Sequence, residues 1–225
     1  MQKDSTREKM FNHIPVSTPI METAHEDNLH FYKINGVKYP SITTILHSFP
    51  NPGMEIWKSK TPNWEEIQQE SFKVGTNLHY LIEDYLGNSE YIEREDDRSY
   101  ELWNNMMDEL NKINNIRCQE RYLYEPNLRV AGTVDCIAEY DGELCVIDFK
   151  NSRKEKKNWM VKKSGYYEQV TAYSLMARHC ANLEIEKGII LIASWDGKVN
   201  KYEININEYV DNLVNIIEQY ENNLS

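Results

Sequence analysis

The chain has 225 residues, 25 Lys plus Arg against 36 Asp plus Glu, and a formal net charge of -11. Hydrophobic residues make up 40% and charged residues 27%, which is the composition of a folded globular chain, long enough for one domain with its own core. No apolar run approaches the roughly 18–20 residues of a membrane span, and taken alone the acidity argues against nucleic acid, whose phosphates need a cationic surface.

Residues 1–28 lack periodicity and read as an N-terminal arm, with residues 29–225 as a single domain. The arm has no apolar stretch, and its acids Asp4 and Glu8 do not suit a mitochondrial transit peptide, so a cytoplasmic location in a bacterial or phage-infected cell is expected and a mitochondrial one is not. Residues 31–39 read as a hairpin turned at Asn35-Gly36, which tolerates the positive φ angles of a type I′ turn. Ser41 is placed to cap a short helix carrying Ile42, Ile45 and Leu46, which Pro50 and Pro52 end. Over 63–86 the residues Ile67, Phe72, Leu78, Ile82 and Leu86 form a helical stripe, interrupted by Gly75 as at a close packing contact. An acidic run over 90–101 reads as a solvated loop and helix start, and a second helix is predicted through Leu102, Met106, Leu110 and Ile113.

Strands then dominate: 117–125, 129–140 and 143–150 are rich in β-branched, aromatic and alternating residues. A basic stretch covers 150–163, a helix 166–181, a second hairpin 187–204 turned at Asp196-Gly197, and an amphipathic helix 207–222. The order predicts an α/β fold, a mixed sheet with helices. Cys118, Cys136, Cys145 and Cys180 show no C-x-x-C spacing, so neither zinc nor an iron–sulfur cluster is expected. Cys136 and Cys145, in apolar runs, read as small core residues.

The chemistry concentrates in the hairpin turned at Asp141-Gly142. With those two residues as a two-residue turn, Tyr140 faces Glu143, Asp135 faces Asp148 and Thr133 faces Lys150. Alternation puts Asp135, Asp148 and Lys150 on one face, the carboxylates about 5 Å apart at Cβ. Val134, Cys136 and Ala138 then oppose Cys145, Ile147 and Phe149 on an apolar face bound for the core. Two facing carboxylates repel, so either one is protonated or a cation lies between them. Oxygen ligands suit Mg²⁺ or Mn²⁺, beside which a lysine can orient a water or balance phosphate charge. Asp-x-Lys is by itself a weak signal, but only at Asp148-Phe149-Lys150 does it close an apolar strand with a facing acid. His79 and Glu83 stand one turn apart on the long helix, as do Gln169 and Tyr173 on the helix after the hairpin.

The combination of Gly75, Thr76, His79 and Glu83, then Gly132 and Asp135, then Ile147-Asp148-Phe149-Lys150, then Gln169 and Tyr173, resembles the RecB-like branch of the PD-(D/E)XK nuclease superfamily. The stretch 134–150 and the segment 39–46 are most similar to the mitochondrial genome maintenance exonuclease family and its phage relatives. The resemblance covers roughly residues 31–220 and implies a restriction-endonuclease-like core and Mg²⁺- or Mn²⁺-dependent DNA cleavage. It implies that Asp135, Asp148, the Phe149 backbone carbonyl and His79 hold the metal, and that Lys150 positions the attacking water. It further implies support from Glu83, and placement of the scissile phosphate or of Lys150 by Gln169 and Tyr173. Single-stranded DNA with free ends is the implied substrate, in replication, repair or recombination, with proteins of those processes as partners and a monomeric enzyme. The alternatives are a structure-selective endonuclease on duplex or branched DNA, and a catalytically silent DNA-binding module. Trp57, Trp64, Trp159, Tyr166 and Tyr167 flank the motifs and offer rings for base stacking.

The charge also reads differently in detail. Residues 150–163 carry seven basic residues and one acid, so Arg153, Lys154, Lys156, Lys157, Lys162 and Lys163 form a cationic track beginning at Lys150 and are the expected DNA contacts.

Overall fold

In the computed structural model, residues 10–26, 29–90 and 96–224 are described. Strands β1 (Glu22–Glu26), β2 (Leu29–Ile34) and β3 (Val37–Pro40) form a small antiparallel sheet, with Asn35 at φ 50° and Gly36 at φ 82° in the tight turn that Asn-Gly favours. Ser41 caps helix α1 (Ile42–His47), its hydroxyl accepting the Thr44 N–H at 2.9 Å. Helix α2 (Pro52–Lys60) follows, with Pro52 in the first turn, and buries no residue. It begins at Pro52, one of the two prolines expected only to end the preceding helix, and without a buried stripe its sequence carries no amphipathic signal.

Helix α3 (Trp64–Leu86) carries Leu78, Ile82 and Leu86 fully into the core, each burial stabilising by about 1.5–3 kcal/mol. Phe72, read as part of that stripe, is instead 66% exposed, because it precedes the part of α3 that meets the sheet. Helices α4 (Asp97–Asn105) and α5 (Met107–Leu110) replace the single predicted helix, and Ile113 opens strand β4 (Ile113–Glu125) rather than ending a helix. Asp96 caps α4, its carboxylate accepting the Ser99 N–H at 2.7 Å. Residues 91–95 of the acidic run lie outside the described residues.

Strands β5 (Val130–Tyr140) and β6 (Glu143–Ser152), helices α6 (Asn158–Lys163) and α7 (Tyr166–Ala181), strands β7 (Lys187–Ser194) and β8 (Val199–Asn205), a 3₁₀ turn and helix α8 (Val210–Leu224) complete the order. The main sheet runs β4-β5-β6-β7-β8, with β6 and β7 parallel and the other neighbours antiparallel. It is a central mixed sheet flanked by helices, consistent with the restriction-endonuclease-like α/β core. Alternation divides β7 between two cores: Ile190 and Ile192 pack with Val170 and Met176 of α7, whereas Ile189 and Leu191 pack with Leu78 and Ile82 of α3. Cys136 and Cys145 lie fully buried on the α3 side.

Where residues 10–26 are described, they are not a free arm. Ile14 donates its N–H to the Ile116 carbonyl, Phe11 packs edge-on to Tyr85 at 5.1 Å, and β1 pairs with β2. Residues 1–9 lie outside the description. Among the described residues no helix is long and apolar enough to cross a membrane.

Candidate active site

The site lies where β5 and β6 part. Their ladder runs from Tyr140/Glu143 to Cys136/Ile147, the register expected from an Asp141-Gly142 turn, and Asp141 at φ 51° and Gly142 at φ 83° give that turn its positive angles. Pairing stops one step short of Asp135/Asp148. In place of a ladder bond, the Asp135 carboxylate accepts the Phe149 N–H at 2.8 Å; Thr133 keeps its pairing with Tyr122 on the β4 edge but has no ladder partner in β6, so the expected Thr133/Lys150 pair is not formed.

Strand β4 is irregular beside the same point. Arg121 pairs with Val134 and Gln119 with Cys136, but Glu120 between them has φ 46°. A left-handed residue breaks the pleat. Across from it in β5, Val134 joins the α7-side core while Cys136 joins the α3-side core, although an unbroken strand would point both the same way and that was the expectation.

Into this gap α3 brings His79. Its Nε2 lies 2.9 Å from the Phe149 carbonyl, and its Nδ1 lies 3.2 Å from Glu120 Oε1 and 3.8 Å from Asp135 Oδ2. Both ring nitrogens face acceptors, which suits the imidazolium. Burial opposes that charge, but Asp135 and Glu120 outweigh it and push the imidazole up to about 9. His79, Glu120 and Asp135 each offer one ligand atom, all within 4.8 Å of one another.

Asp148 is fully buried. Lys150 Nζ donates to its Oδ1 at 2.7 Å and stands 2.5 Å from Oδ2, so the ammonium sits against both carboxylate oxygens. Burial raises the Asp148 carboxyl above the usual range, Lys150 opposes the rise and Asp135 adds to it. Burial works against the Lys150 ammonium, yet the charges of Asp148 and Asp135 hold its pKa above the ordinary lysine value. Imidazole nitrogen and carboxylate oxygen are donors that fit a divalent cation.

On α7, Gln169 Nε2 donates to Tyr173 Oη at 3.2 Å, and both side chains are buried. Burial and then the charges of Asp135 and Asp148 raise the Tyr173 phenol well above its usual value, so the ring stays neutral beside the acids. Gly132 makes room for it: a Cβ there would stand 2.7 Å from Tyr173 Cε1. Gly75 does the same for Asn151, whose Nδ2 would lie 2.6 Å from such a Cβ and donates to the Ser71 carbonyl at 3.2 Å.

Glu83, expected as support for His79, is outside the group of three possible ligands; its backbone carbonyl accepts from Gln119. Glu120 is in that group and was not anticipated, for nothing in a strand sequence marks a residue whose backbone turns left-handed. Of the basic track, Arg153, Lys154, Lys157, Lys162 and Lys163 are exposed. Arg153 pairs with Glu70 and lies 4.3 Å from the Trp195 ring, and Lys156 turns inward to Tyr166. Of the aromatics, Tyr167 is a core residue with its hydroxyl on Asn158, so it offers no stacking face, whereas Trp159 is 58% exposed.

No family model matches the chain. Mitochondrial genome maintenance exonuclease 1 of Homo sapiens is 27% identical over 172 residues, covering 70% of this chain and 50% of that protein. The Mus musculus protein of the same name is 28% identical over 174 residues, covering 70% of this chain and 50% of its own. That of Xenopus tropicalis is 28% identical over 171 residues, covering 70% and 49%. The chain spans about half the length of the curated relatives it matches. Homology to exonucleases and the His79, Glu120 and Asp135 cluster support a nuclease function with a divalent-cation site. The expectation of a cytoplasmic, bacterial or phage setting is corrected by these same relatives, all three of which are named for the mitochondrial genome. Asp4 and Glu8 carried that expectation, and two acids are a poor guide to compartment.

Proposed function

We propose that this protein is an Mg²⁺- or Mn²⁺-dependent deoxyribonuclease that hydrolyses single-stranded DNA from free ends in genome replication, repair or recombination. The observation that carries the reading is the convergence of His79, Glu120, Asp135, Asp148 and Lys150 in the gap where β5 and β6 part. Asp135, Asp148, His79 and the Phe149 carbonyl, joined by Glu120, would hold the ion. When bound, such an ion stabilises developing phosphate charge and lowers the pKa of water. Lys150, held by Asp148, is placed to orient the attacking water and to offset charge on a phosphate oxygen. Gln169 and Tyr173 hold their side of the gap without adding a charge. The exposed Lys154, Lys157, Lys162 and Lys163 would track the phosphate backbone, with Trp159 available to a base. We read the domain as monomeric, with residues 10–26 packed onto it as part of the same unit, and with replication or recombination proteins as partners.

The test is digestion of end-labelled linear single strands, duplexes and circular single strands in Mg²⁺ or Mn²⁺, with Lys150→Ala as control. Linear single strands should be degraded from an end while circles persist. Efficient cutting of circles would replace the exonuclease reading with an endonuclease, and binding without any divalent-ion-dependent cleavage would leave only a silent module.

A further inference from the structure

Lys156 belongs to the cationic track by sequence, yet its side chain does not face outward with the rest of it. Its Nζ donates to Tyr166 Oη at 3.2 Å and lies 4.9 Å from the centre of the Tyr166 ring. Its backbone carbonyl accepts from the Tyr202 hydroxyl of β8, which fixes the residue from behind. Tyr166, the first residue of α7, is half-buried, and Lys150 Nζ lies over its ring at 5.3 Å. Tyr166, Gln169 and Tyr173 are spaced three and four residues apart and share one side of α7. A run of contacts thus leads from Tyr202 through Lys156 and Tyr166 to the ammonium that Asp148 also holds.

We infer that Tyr166 and Lys156 are positioning residues for Lys150: the ring gives the ammonium a second restraint besides Asp148's hydrogen bond, and Lys156 fixes the ring. Lys156 is then not a phosphate contact, despite lying in the basic track. Two restraints are needed because a lysine on a four-carbon stem held by one carboxylate keeps much of its rotamer freedom. An ammonium over an aromatic face is held by attraction to the ring's negative quadrupole, a contact that strengthens with desolvation.

The inference rests on the proposed cleavage, and the two fail differently. A wild-type protein that cuts no DNA removes the cleavage reading; an active wild type with indifferent variants removes this one. Wild type, Tyr166→Leu, Tyr166→Phe, Lys156→Gln and the Tyr166→Phe/Lys156→Gln double variant are compared for kcat and KM on linear single strands and for melting temperature. Binding to a fluorescent single strand in EDTA is measured over a range of salt. Loss of a cation–π restraint should lower kcat by roughly 2- to 30-fold in Tyr166→Leu, with KM little changed. Tyr166→Phe keeps the ring and loses only its anchor, so it should match Lys156→Gln, and the double variant should be no slower than the slower single. Lys156→Gln should leave the salt slope of binding unchanged. A slope that falls by about 0.7, as for one lost phosphate contact on a single strand, with unaltered kcat would overturn the inference. So would wild-type kcat in a folded Tyr166→Leu protein.

Discussion

Gly132→Ala is the sharpest test of how α7 meets the candidate site. An added Cβ would stand 2.7 Å from Tyr173 Cε1 and 3.3 Å from Ile42 Cγ2, well inside the roughly 3.5–4.0 Å of a relaxed carbon contact. Neither neighbour can retreat into solvent, since Tyr173 is 3% exposed and Ile42 is completely buried. Overpacking of this kind costs about 1–3 kcal/mol. Gly132 sits in regular strand pairing opposite Leu123, so alanine is compatible with the backbone and recovers up to about 1 kcal/mol of chain entropy. The net loss is about 1–2 kcal/mol, which for a chain of this size lowers the melting temperature by roughly 2–8 °C. Differential scanning calorimetry measures it directly. Adding Tyr173→Leu removes the clashing ring, so the double variant should be more stable than the sum of the singles by about 0.5 kcal/mol or more. An unchanged melting temperature in Gly132→Ala, with strict additivity in the pair, would refute the packing that places Tyr173 beside the acids.

Gly75→Ala sets two opposed effects against each other: about 1 kcal/mol gained in helix propensity against the loss of the Asn151 bond to the Ser71 carbonyl, worth about 0.5–1.5 kcal/mol. Its melting temperature should stay within a few degrees of wild type while cleavage slows, because Asn151 adjoins Lys150; a fast and stable variant would exclude Asn151 as a tie between β6 and α3. The His79 imidazole, pushed up to about 9 from an ordinary 6.5, contributes stability that is complete below pH 6.5 and is lost as pH rises through 9. The shift corresponds to at most about 3 kcal/mol, so urea unfolding in EDTA should weaken from pH 6.5 to 9.5 in wild type, and by clearly less in His79→Gln. Mn²⁺ at about 100 times its dissociation constant should stabilise the protein by about 2.7 kcal/mol. Asp135→Asn or Glu120→Gln should reduce that shift, and an equal shift in both would remove these residues from the ion site.

Much of the fold was legible because it rests on local rules. Asp141-Gly142 and Asn35-Gly36 dictate tight turns, and the first sets a register that holds from Tyr140/Glu143 to Cys136/Ile147. Ser41 caps its helix through a hydroxyl that sequence alone identifies. Less legible were features that depend on tertiary context. Helix α2 buries nothing, so no periodicity announces it. Glu120 enters the site because its backbone is left-handed within a strand, a conformation with no sequence signature for glutamate, and across from that break Val134 lies in the opposite core from Cys136. Strand parting moved Asp135 onto the Phe149 N–H rather than leaving it facing Asp148. Lys156 turned inward because a charge run records how many cations are present, not where they point.

The most direct measurement is the rate at which a 5′-labelled linear single strand is degraded in Mg²⁺ or Mn²⁺ by wild type, Asp148→Ala and Lys150→Ala, each shown to be folded by circular dichroism. Divalent-ion-dependent degradation by wild type, with both variants slower by about 10²- to 10³-fold, a range common for groups acting on developing charge, is the result expected. Degradation by folded Lys150→Ala or Asp148→Ala at the wild-type rate would contradict the assignment of the catalytic site to the gap between β5 and β6.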